Sequence, residues 1–301
     1  MRLSIAAMLA AATAGALFAA QPASRKSLVA HRGASAYAPE HTMASYRLAL
    51  EQLADFVEQD LGVTKDGILV CAHDPTLERT TNVEEVFPGR FRESNGSRRW
   101  FVADFTLDEI KRLDAGSWFD PRFAGERVPT FAEAIDLVRG QAGLFPELKA
   151  PAVYRERGVD MAPLVAAALR ARGLDRKGAD ARTPVILQSF DVEALRSVAG
   201  ELSSLDRTFL LEPGDAPEWT TDDALARVAT FATGIGPSKA IVDKDPGLVA
   251  RAHARGLTVI PYTFRASNPG RFPSVRDEMQ HFLTILGVDG VFTDNPDLFP
   301  R

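Results

Sequence analysis

Residues 28–33 read Leu-Val-Ala-His-Arg-Gly, and residues 56–60 read Phe-Val-Glu-Gln-Asp. Each stretch is a short apolar run that ends in side chains capable of chemistry. The same order recurs towards the end of the chain, and apolar residues at three- and four-residue steps, typical of one helix face, separate most of the runs. Alternating strands and helices favour a parallel sheet with helical crossovers. Because the carboxyl ends of barrel strands meet at one face, we predict an α/β TIM (β/α)8 barrel with its site at that face.

The predicted strands are one too many for a closed barrel. They lie at 28–30, 56–61, 68–73, 144–148, 185–190, 208–211, 234–237, 258–264 and 290–293. The second and third are too close for a crossover helix, and the Asp66-Gly67 turn between them predicts a hairpin or a bent extension. Since a closed barrel needs eight strands, we expect one arm of this hairpin to lie outside it. No glycine-rich phosphate loop follows the first strand, which argues against an open doubly wound sheet.

The stretch at about 79–142 breaks the alternation with glycines and prolines. It also holds four arginines: Arg90, Arg92, Arg98 and Arg99. Capping boxes that begin at Thr106 and Thr130 predict two short helices within it. We interpret the stretch as a small insertion into the barrel, and its arginines as a solvated surface rather than a phosphate site.

The first residues of the chain are predicted to be a leader. Arg2 precedes an uncharged, alanine-rich run, and polar residues follow from Gln21, which is the pattern of a signal peptide at 1–20. A membrane anchor is the alternative, because the run is nearly long enough to span a bilayer. With a signal peptide, residues 21–301 form a single domain that is periplasmic or secreted and has no stable membrane anchor.

Composition narrows the classes of partner. The formal net charge is -5 and no long run of Lys and Arg is present, so nucleic acid is not an expected partner. The chain has one cysteine, Cys71, and therefore no intramolecular disulfide. In an apolar strand, Cys71 is expected to be a small buried hydrophobe rather than a nucleophile.

Three carboxylates follow predicted strands and should meet at the rim of the barrel. Glu58 and Asp60 are two apart on one strand, so their side chains point the same way. Glu147 and Lys149 repeat this relation on another strand. Carboxylates this close repel one another unless a cation joins them, and oxygen-only ligands suit Ca²⁺ or Mg²⁺. Structural salt bridges with Lys149 and Arg32 are the alternative, and the spacing alone leaves both interpretations open.

Two of the five histidines, His31 and His73, directly follow apolar strand runs. A single histidine in such a place is commonly a satisfied core residue, but two beside an acidic cluster favour an acid/base pair. Cleavage of a phosphodiester requires deprotonation of the attacking hydroxyl and protonation of the leaving alkoxide, and imidazole suits both steps near neutral pH. Arg32 can bind the phosphate oxygens only if the chain turns at Gly33, because a straight strand points Arg32 away from His31.

At these residues the sequence resembles the glycerophosphodiester phosphodiesterase family. The signatures are His31-Arg32-Gly33-Ala34, Pro39-Glu40-His41-Thr42, Glu58-Gln59-Asp60, Thr64-Lys65-Asp66-Gly67, His73-Asp74, Pro146-Glu147-Leu148-Lys149, Gln188-Ser189-Phe190 and Phe292-Thr293-Asp294-Asn295-Pro296-Asp297. Each signature alone is weak evidence for the family. Together they are specific evidence, because they follow the family's order over most of the chain after the leader. The periplasmic, calcium-dependent branch is the most similar, through Pro39 to Thr42 and through Pro261-Tyr262-Thr263.

The resemblance implies a TIM barrel with a small insertion after the His73-Asp74 motif. It implies one divalent cation on Glu58, Asp60 and Glu147, and the similar branch favours Ca²⁺ over Mg²⁺. It also implies that His31 and His73 are the catalytic acid and base, in an order that the sequence leaves open.

The resemblance further implies the substrate and its contacts. Family substrates are deacylated phospholipids such as glycerophosphocholine, which are cut to sn-glycerol 3-phosphate and an alcohol. A glycerol hydroxyl is the internal nucleophile, and water opens the resulting cyclic phosphate. The residues expected to bind substrate or phosphate are Arg32, Lys149, Gln188, Phe190 and Tyr262. Many members have Asn at the position of His41, so His41 is expected to support the site rather than to catalyse.

Two rival functions remain at this point. A phospholipase C- or D-like enzyme would act on intact lipid and would need an apolar rim. We expect exposed aromatic clusters in the insertion, Trp100, Phe101, Trp118 and Phe119, which are candidates for such a rim. A secreted binding protein without catalysis is the other rival.

Overall fold

The computed structural model describes residues 25–301, so the predicted signal peptide at 1–20 lies outside the described residues. The strands are β1 (Ser27–Ala30), β2 (Phe56–Val63), β3 (Leu69–Cys71), β4 (Arg92–Ser94), β5 (Ser97–Arg99), β6 (Gly143–Leu148), β7 (Ile186–Ser189), β8 (Asp206–Leu211), β9 (Gly234–Pro237), β10 (Thr258–Val259) and β11 (Gly290–Thr293). Eight of them lie side by side in the order β10-β9-β8-β7-β6-β2-β1-β11, with parallel pairing. Backbone bonds of 2.8 Å from Phe264 N to Phe292 O and from Asp289 N to Val259 O join β10 to β11 and close the ring. The predicted α/β barrel is confirmed.

The early hairpin is the source of the extra strand. β3 pairs antiparallel with β2 alone, through Leu61–Cys71, Gly62–Val70 and Val63–Leu69. The turn is fixed by Thr64, whose hydroxyl donates to Asp66 at 2.6 Å and accepts from Ile68 N at 2.9 Å. One arm of the hairpin therefore lies outside the barrel, as the strand count predicts.

The interior of the barrel is filled by large apolar side chains beneath the carboxyl ends of the strands. Phe145 is fully buried, and its ring makes edge contacts with Phe56 at 5.7 Å and Phe292 at 5.0 Å. The close packing depends on Gly143, where an added Cβ would lie 2.4 Å from the Phe56 ring. Interdigitation at this density makes the barrel a packed core below its cavity.

The helices surround the strand ring. They are α1 (Met43–Glu51), α2 (Val83–Val86), α3 (Leu107–Ile110), α4 (Phe131–Val138), α5 (Pro151–Arg155), α6 (Met161–Arg170), α7 (Val192–Glu201), α8 (Ala216–Trp219), α9 (Asp222–Val228), α10 (Lys239–Lys244), α11 (Leu248–His253) and α12 (Val275–Thr284). Short 3-10 helices lie at 102–104, 121–123, 213–215 and 296–298. Both predicted capping boxes form, since Thr106 pairs reciprocally with Glu109 and Thr130 with Glu133.

Residues between β3 and α4 pack around an apolar cluster of their own that includes Leu77, Val102 and Phe105. Three of the four predicted surface arginines form exposed ion pairs, Arg90 with Glu109, Arg92 with Asp104 and Arg99 with Glu78, and none of the four lines the main cavity. Whether this segment, with the boundaries 79–142, is an insertion stays a prediction.

The predicted exposure of the aromatic residues in this segment is wrong for Trp100. Its side chain is 2% exposed, and Nε1 donates to the Phe87 carbonyl at 2.8 Å, which holds the ring inside the apolar cluster. Trp118 is exposed at 41%. Within residues 25–301, no helix combines the length and the apolar character needed to cross a bilayer.

Candidate active site

A cavity of about 350 Å³ opens at the carboxyl ends of the barrel strands. Its lining includes every residue predicted to act in catalysis, metal binding or substrate binding, contributed by different strands over more than half of the chain. These are His31, Arg32, Glu58, Asp60, His73, Glu147, Lys149, Gln188, Phe190 and Tyr262. The parallel barrel explains this convergence, because most of these side chains lie at or just after a strand end, while Glu58 and Asp60 lie in β2 ahead of the residues that pair with β3.

The carboxylates lie next to one another on two paired strands. Asp60 on β2 is the direct register partner of Glu147 on β6, and Glu58 points the same way as Asp60 from two residues earlier. All three are buried, with exposed fractions of 1% for Glu58 and Asp60 and 4% for Glu147. Lys149 lies across the pair, with Nζ 3.1 Å from Glu147 Oε1 and 3.6 Å from Asp60 Oδ1.

Burial and mutual repulsion separate the proton affinities of these acids. Burial, with the charge of Asp60 next, raises the pKa of Glu58 and of Glu147 well above the ordinary value. For Asp60 burial acts in the same direction, but Lys149, the His41 hydrogen bond and Arg32 outweigh it and hold its pKa well below the usual range. A cation at this place would offset the repulsion that raises the pKa of Glu58 and of Glu147.

His41 supports Asp60 from behind. Its Nε2 lies 2.9 Å from Asp60 Oδ2, and its Nδ1 lies 2.8 Å from the Tyr46 hydroxyl. Burial lowers the pKa of His41, so the ring is neutral, donates Nε2–H to the carboxylate and accepts from Tyr46. The ligand atoms of His41, Glu58 and Asp60 lie within 4.8 Å of one another. Because its Nε2 proton is committed to Asp60, His41 is placed to orient a carboxylate rather than to bind an ion.

His31 is fixed by a carboxylate from the last strand of the barrel. Its Nδ1 lies 2.7 Å from Asp294 Oδ1, and Arg265 Nε donates to the other oxygen at 2.6 Å. Burial, together with the charge of Arg32, lowers the pKa of His31 to about 4. Although burial raises it, the His31 bond and the charge of Arg265 lower the pKa of Asp294 to about 2. Asp294 is therefore ionised and accepts the Nδ1 proton, which leaves Nε2 of His31 without one.

His73 repeats this arrangement from the hairpin side of the cavity. Its Nδ1 lies 2.7 Å from Asp74 Oδ1, and Arg79 Nε donates to Asp74 Oδ2 at 2.5 Å. Arg79 also binds Glu40 through both terminal nitrogens, at 2.9 and 2.6 Å, and Glu40 accepts from Arg32 at 3.1 Å. A continuous chain of charged groups thus connects His73 to Arg32.

The chain turns at Arg32 and Gly33, as the predicted phosphate-binding role of Arg32 requires. Arg32 and Gly33 have φ angles of 56° and 84°, so the chain leaves the strand direction directly after His31. At Gly33 an added Cβ would lie 2.3 Å from Ser45 Oγ, which leaves no room for a side chain. The guanidinium then lies 3.3 Å from Asp60 Oδ2 through Nε, and the backbone N–H of Arg32 donates to Glu58 at 2.7 Å.

The remaining predicted residues form the next part of the wall. Gln188 is buried and its Nε2 donates to the Phe145 carbonyl at 3.3 Å and to Glu58 Oε1 at 3.4 Å. Phe190 and Tyr262 meet edge to face at 5.9 Å. Tyr262 donates its hydroxyl to the Leu211 carbonyl at 3.0 Å.

Sequence reasoning did not assign a role to the partners of the histidines. Asp74 and Asp294 both stand in quoted signatures, directly beside or after a strand end, so position alone could have marked them. Glu40 stands in a quoted signature but not at a strand end, and Arg265 follows the predicted strand 258–264 but stands in no signature, so the sequence marked each of them less clearly. Cys71 is buried outside this cavity, and burial raises the pKa of its thiol to about 12, so it is inert at neutral pH.

A barrel whose cavity presents two imidazoles, buried carboxylates and several cationic side chains holds the groups that a hydrolase of phosphate esters uses. A family model described as the glycerophosphoryl diester phosphodiesterase family matches residues 31–298. The chain belongs to this family and is an enzyme of that activity.

Two curated relatives align with this chain over most of their own length. A glycerophosphodiester phosphodiesterase of Bacillus subtilis (strain 168) is 37% identical over 281 residues, which cover 91% of this chain and 85% of that protein. One of Haemophilus influenzae is 32% identical over 332 residues, covering 92% of this chain and 89% of that protein.

Solved structures show the same fold. A glycerophosphodiester phosphodiesterase from Agrobacterium tumefaciens matches with a TM-score of 0.68 and 30% identity, over 91% of this chain and 98% of that one. An Oleispira antarctica phosphodiesterase, in complex with the product sn-glycerol-3-phosphate, matches with a TM-score of 0.71 and 26% identity, over 90% and 94%.

Proposed function

We propose that this chain is a periplasmic or secreted, divalent-cation-dependent enzyme that hydrolyses deacylated phospholipids, such as glycerophosphocholine, to sn-glycerol 3-phosphate and an alcohol. The observation that carries the proposal is the pair of imidazoles, His31 and His73. Each is held through Nδ1 by a carboxylate, at 2.7 Å, and both line the cavity that contains the buried acids. The product named for the Oleispira antarctica neighbour supports the choice of substrate class.

The donor set fits a hard divalent cation. Glu58, Asp60 and Glu147 offer only carboxylate oxygens, and burial together with the charge of Asp60 raises the pKa of Glu58 and of Glu147, a repulsion that a cation would offset. When bound, the cation supplies positive charge that stabilises the phosphate oxygens. Ca²⁺ rather than Mg²⁺ follows from the resemblance to the periplasmic branch, which shares the Pro-Glu-His-Thr segment ending at Thr42.

The phosphate is held by two cationic side chains of the chain itself. Arg32 and Lys149 flank Asp60 from different strands and line the cavity. Their charges oppose the negative charge that grows on the phosphate oxygens as the bond to the nucleophile forms. Gln188 keeps Glu58 in place through its amide nitrogen, 3.4 Å from Glu58 Oε1.

The histidines move the protons. One imidazole takes the proton of the glycerol hydroxyl that attacks phosphorus, and the other gives a proton to the headgroup oxygen as its bond to phosphorus breaks. Water then opens the cyclic phosphate with the two roles exchanged, so each ring returns to its starting state. The free nitrogen for both steps is Nε2, because Nδ1 is bound to Asp294 in His31 and to Asp74 in His73.

The proposed location depends on the leader. Removal of residues 1–20 leaves a chain that starts near Gln21, and export follows from the uncharged run after Arg2. Mass spectrometry of the exported protein measures the new amino terminus. A membrane-bound product that retains Met1 would contradict this part of the proposal.

The test of activity uses the mature protein and a panel of glycerophosphodiesters. Phosphorus NMR should detect sn-glycerol 3-phosphate from glycerophosphocholine in the presence of Ca²⁺, loss of turnover with chelator, and recovery when Ca²⁺ is restored. Intact phosphatidylcholine in vesicles is included as the substrate of the phospholipase alternative. Turnover of vesicles without turnover of glycerophosphocholine would overturn the proposal.

A further inference from the structure

The two oxygens of the Asp60 carboxylate have different partners. Oδ2 lies 2.9 Å from His41 Nε2 and 3.3 Å from Arg32 Nε, whereas Oδ1 lies 3.6 Å from Lys149 Nζ. Lys149 lines the cavity and His41 does not. One oxygen of Asp60 is therefore tied to the interior of the protein, and the other is turned towards the cavity.

Tyr46 continues this chain of contacts behind His41. Its hydroxyl lies 2.8 Å from His41 Nδ1, and the two rings meet edge to face with centroids 6.2 Å apart. The exposed fractions are 0% for Tyr46, 3% for His41 and 1% for Asp60, so bulk solvent does not compete for either contact. Three buried side chains thus form one hydrogen-bonded row that ends at Asp60 Oδ2.

The direction of each hydrogen bond in the row follows from its two ends. Ionised Asp60 can only accept, so the hydrogen of the 2.9 Å contact belongs to His41 Nε2. The backbone N–H of Asp60 also approaches Nε2, but at the longer distance of 3.4 Å. A neutral imidazole carries a single N–H, so Nδ1 accepts and the Tyr46 hydroxyl donates. The Cys71 thiol borders the same hydroxyl but is a weaker acceptor than an imidazole nitrogen.

The first turn of α1 fixes the position of His41 relative to Tyr46. Thr42 caps the helix, because its hydroxyl accepts from Ser45 N at 3.2 Å. The backbone N–H of His41 donates to the Arg32 carbonyl at 3.2 Å, which ties the residue before the cap to the turn after β1. Both rings are therefore held by backbone contacts before any cation binds.

We propose that Tyr46 is a positioning residue of the cation site, which donates to His41 Nδ1, holds the ring that fixes Asp60 and so raises the affinity for the divalent cation. The inference rests on the proposed function and extends its cation site by one residue. Without the Tyr46 hydroxyl, Nδ1 is a buried acceptor with no partner, which is costly. The ring relieves that cost only by moving, and its movement loosens Asp60.

The experiment measures Ca²⁺ binding to metal-free protein by calorimetry, in the wild type and in Tyr46→Phe. We expect the Kd to rise about ten-fold in Tyr46→Phe, the lower end of what loss of a partner behind a metal ligand costs. At saturating Ca²⁺ the kcat should return close to the wild-type value, because the variant retains all the carboxylates. Tyr154→Phe is the matched control, since Tyr154 is also buried against β2, beside Gly62, and does not line the cavity. Its Kd should equal that of the wild type.

A second background separates positioning from a general contribution to the fold. The amide N–H of glutamine can replace that of Nε2, and glutamine has no counterpart of Nδ1. In His41→Gln, the further change Tyr46→Phe should therefore leave the Kd unaltered, because the path from Tyr46 to Asp60 is already broken. A hydroxyl that only stabilised the fold would cost the same affinity in both backgrounds.

A measurement on the wild type needs no Tyr46 variant. Long-range proton–nitrogen NMR of metal-free protein should show the His41 ring with its proton on Nε2, assigned by the loss of its signals in His41→Gln. A proton on Nδ1 would overturn the proposal, because Tyr46 would then accept instead of donating.

The outcomes separate the inference from the proposed function. An equal Kd in wild type and Tyr46→Phe, or an equal loss of affinity in both backgrounds, would overturn the role of Tyr46 while the proposed function stands. A wild type that neither binds Ca²⁺ nor hydrolyses glycerophosphocholine would overturn the proposed function and the inference with it.

Discussion

Replacement of Asp294 by Asn tests whether a carboxylate is needed behind His31. The Asp294 carboxylate accepts the Nδ1 proton at 2.7 Å, and the two side chains are only 17% and 12% exposed. The substitution keeps the shape and an accepting oxygen but removes the charge that stabilises the imidazolium formed during proton transfer. A hydrogen bond to a charged group contributes about 1.5–3 kcal/mol, and 1.36 kcal/mol is tenfold in rate, so kcat should fall about 10- to 150-fold.

The chain provides a matched control for this substitution on the same strand. Asp289 precedes β11 as Asp294 follows it, and it pairs with His253 at 2.9 Å at the opposite end of the barrel. Asp289→Asn should therefore leave kcat near the wild-type value. Release of sn-glycerol 3-phosphate from glycerophosphocholine is the assay, with the melting temperature of each variant measured in parallel.

The pH profile gives a second measurement for Asp294→Asn. Asp294 raises the pKa of His31, against the larger effect of burial, which lowers it to about 4. Its removal should lower the pKa of His31 further and move the acidic limb of the kcat profile to lower pH. A folded Asp294→Asn variant with kcat within about two-fold of wild type and an unshifted profile would refute the role assigned to this carboxylate.

Three further predictions concern the site and the core. His31→Ala and His73→Ala should each reduce kcat by about 10²- to 10⁴-fold. A substrate with an activated leaving group should rescue only the variant that lacks the acid, so equal rescue of both would contradict the paired roles. Glu58→Gln should weaken binding of Ca²⁺, measured by calorimetry on metal-free protein, and unchanged affinity would remove Glu58 from the metal site. Phe145→Ala should lower the free energy of unfolding by about 3–5 kcal/mol in urea, because it empties the centre of the barrel. The Ile285 side chain is 71% exposed, so Ile285→Ala should change the free energy of unfolding by less than about 0.5 kcal/mol. Equal losses of stability in Phe145→Ala and Ile285→Ala would contradict this account of the core packing.

The sequence was sufficient to predict the barrel and the residues that line its cavity. Strand ends carry the functional residues, and strand ends are where short apolar runs stop, so His31, Glu58 and Glu147 could be placed at one face without coordinates. The bounds of β9 and β11 agree with the predicted 234–237 and 290–293. The roles of these residues stay predictions, as do the signal peptide and the extent of the insertion.

Other features depended on contacts that a linear pattern does not carry. The strand predicted at 258–264 is regular only over Thr258–Val259, with isolated bridges at Tyr262 and Phe264, because the chain bends there to enter the cavity. Helix α10 at Lys239–Lys244 was not predicted, since it follows β9 at once and is only six residues long. Trp100 was expected to be exposed as part of the insertion, but it is buried, and its Nε1 donates to the Phe87 carbonyl.

His73, one of the two histidines proposed for acid/base catalysis, does not follow a strand of the eight-stranded ring. His73 follows β3, the strand that pairs with β2 alone, and its neighbours Asp74 and Arg79 belong to the segment with its own apolar cluster. Proteins open in cooperative units of different stability. β3 is buried, but it is only three residues long and pairs with a single strand, so fewer strand-to-strand backbone bonds hold it than hold the strands of the ring. Opening of this arm would remove one imidazole from the cavity while the eight-stranded ring, and the other imidazole with it, stayed intact. We therefore expect turnover to stop at a lower temperature than the one at which the barrel unfolds.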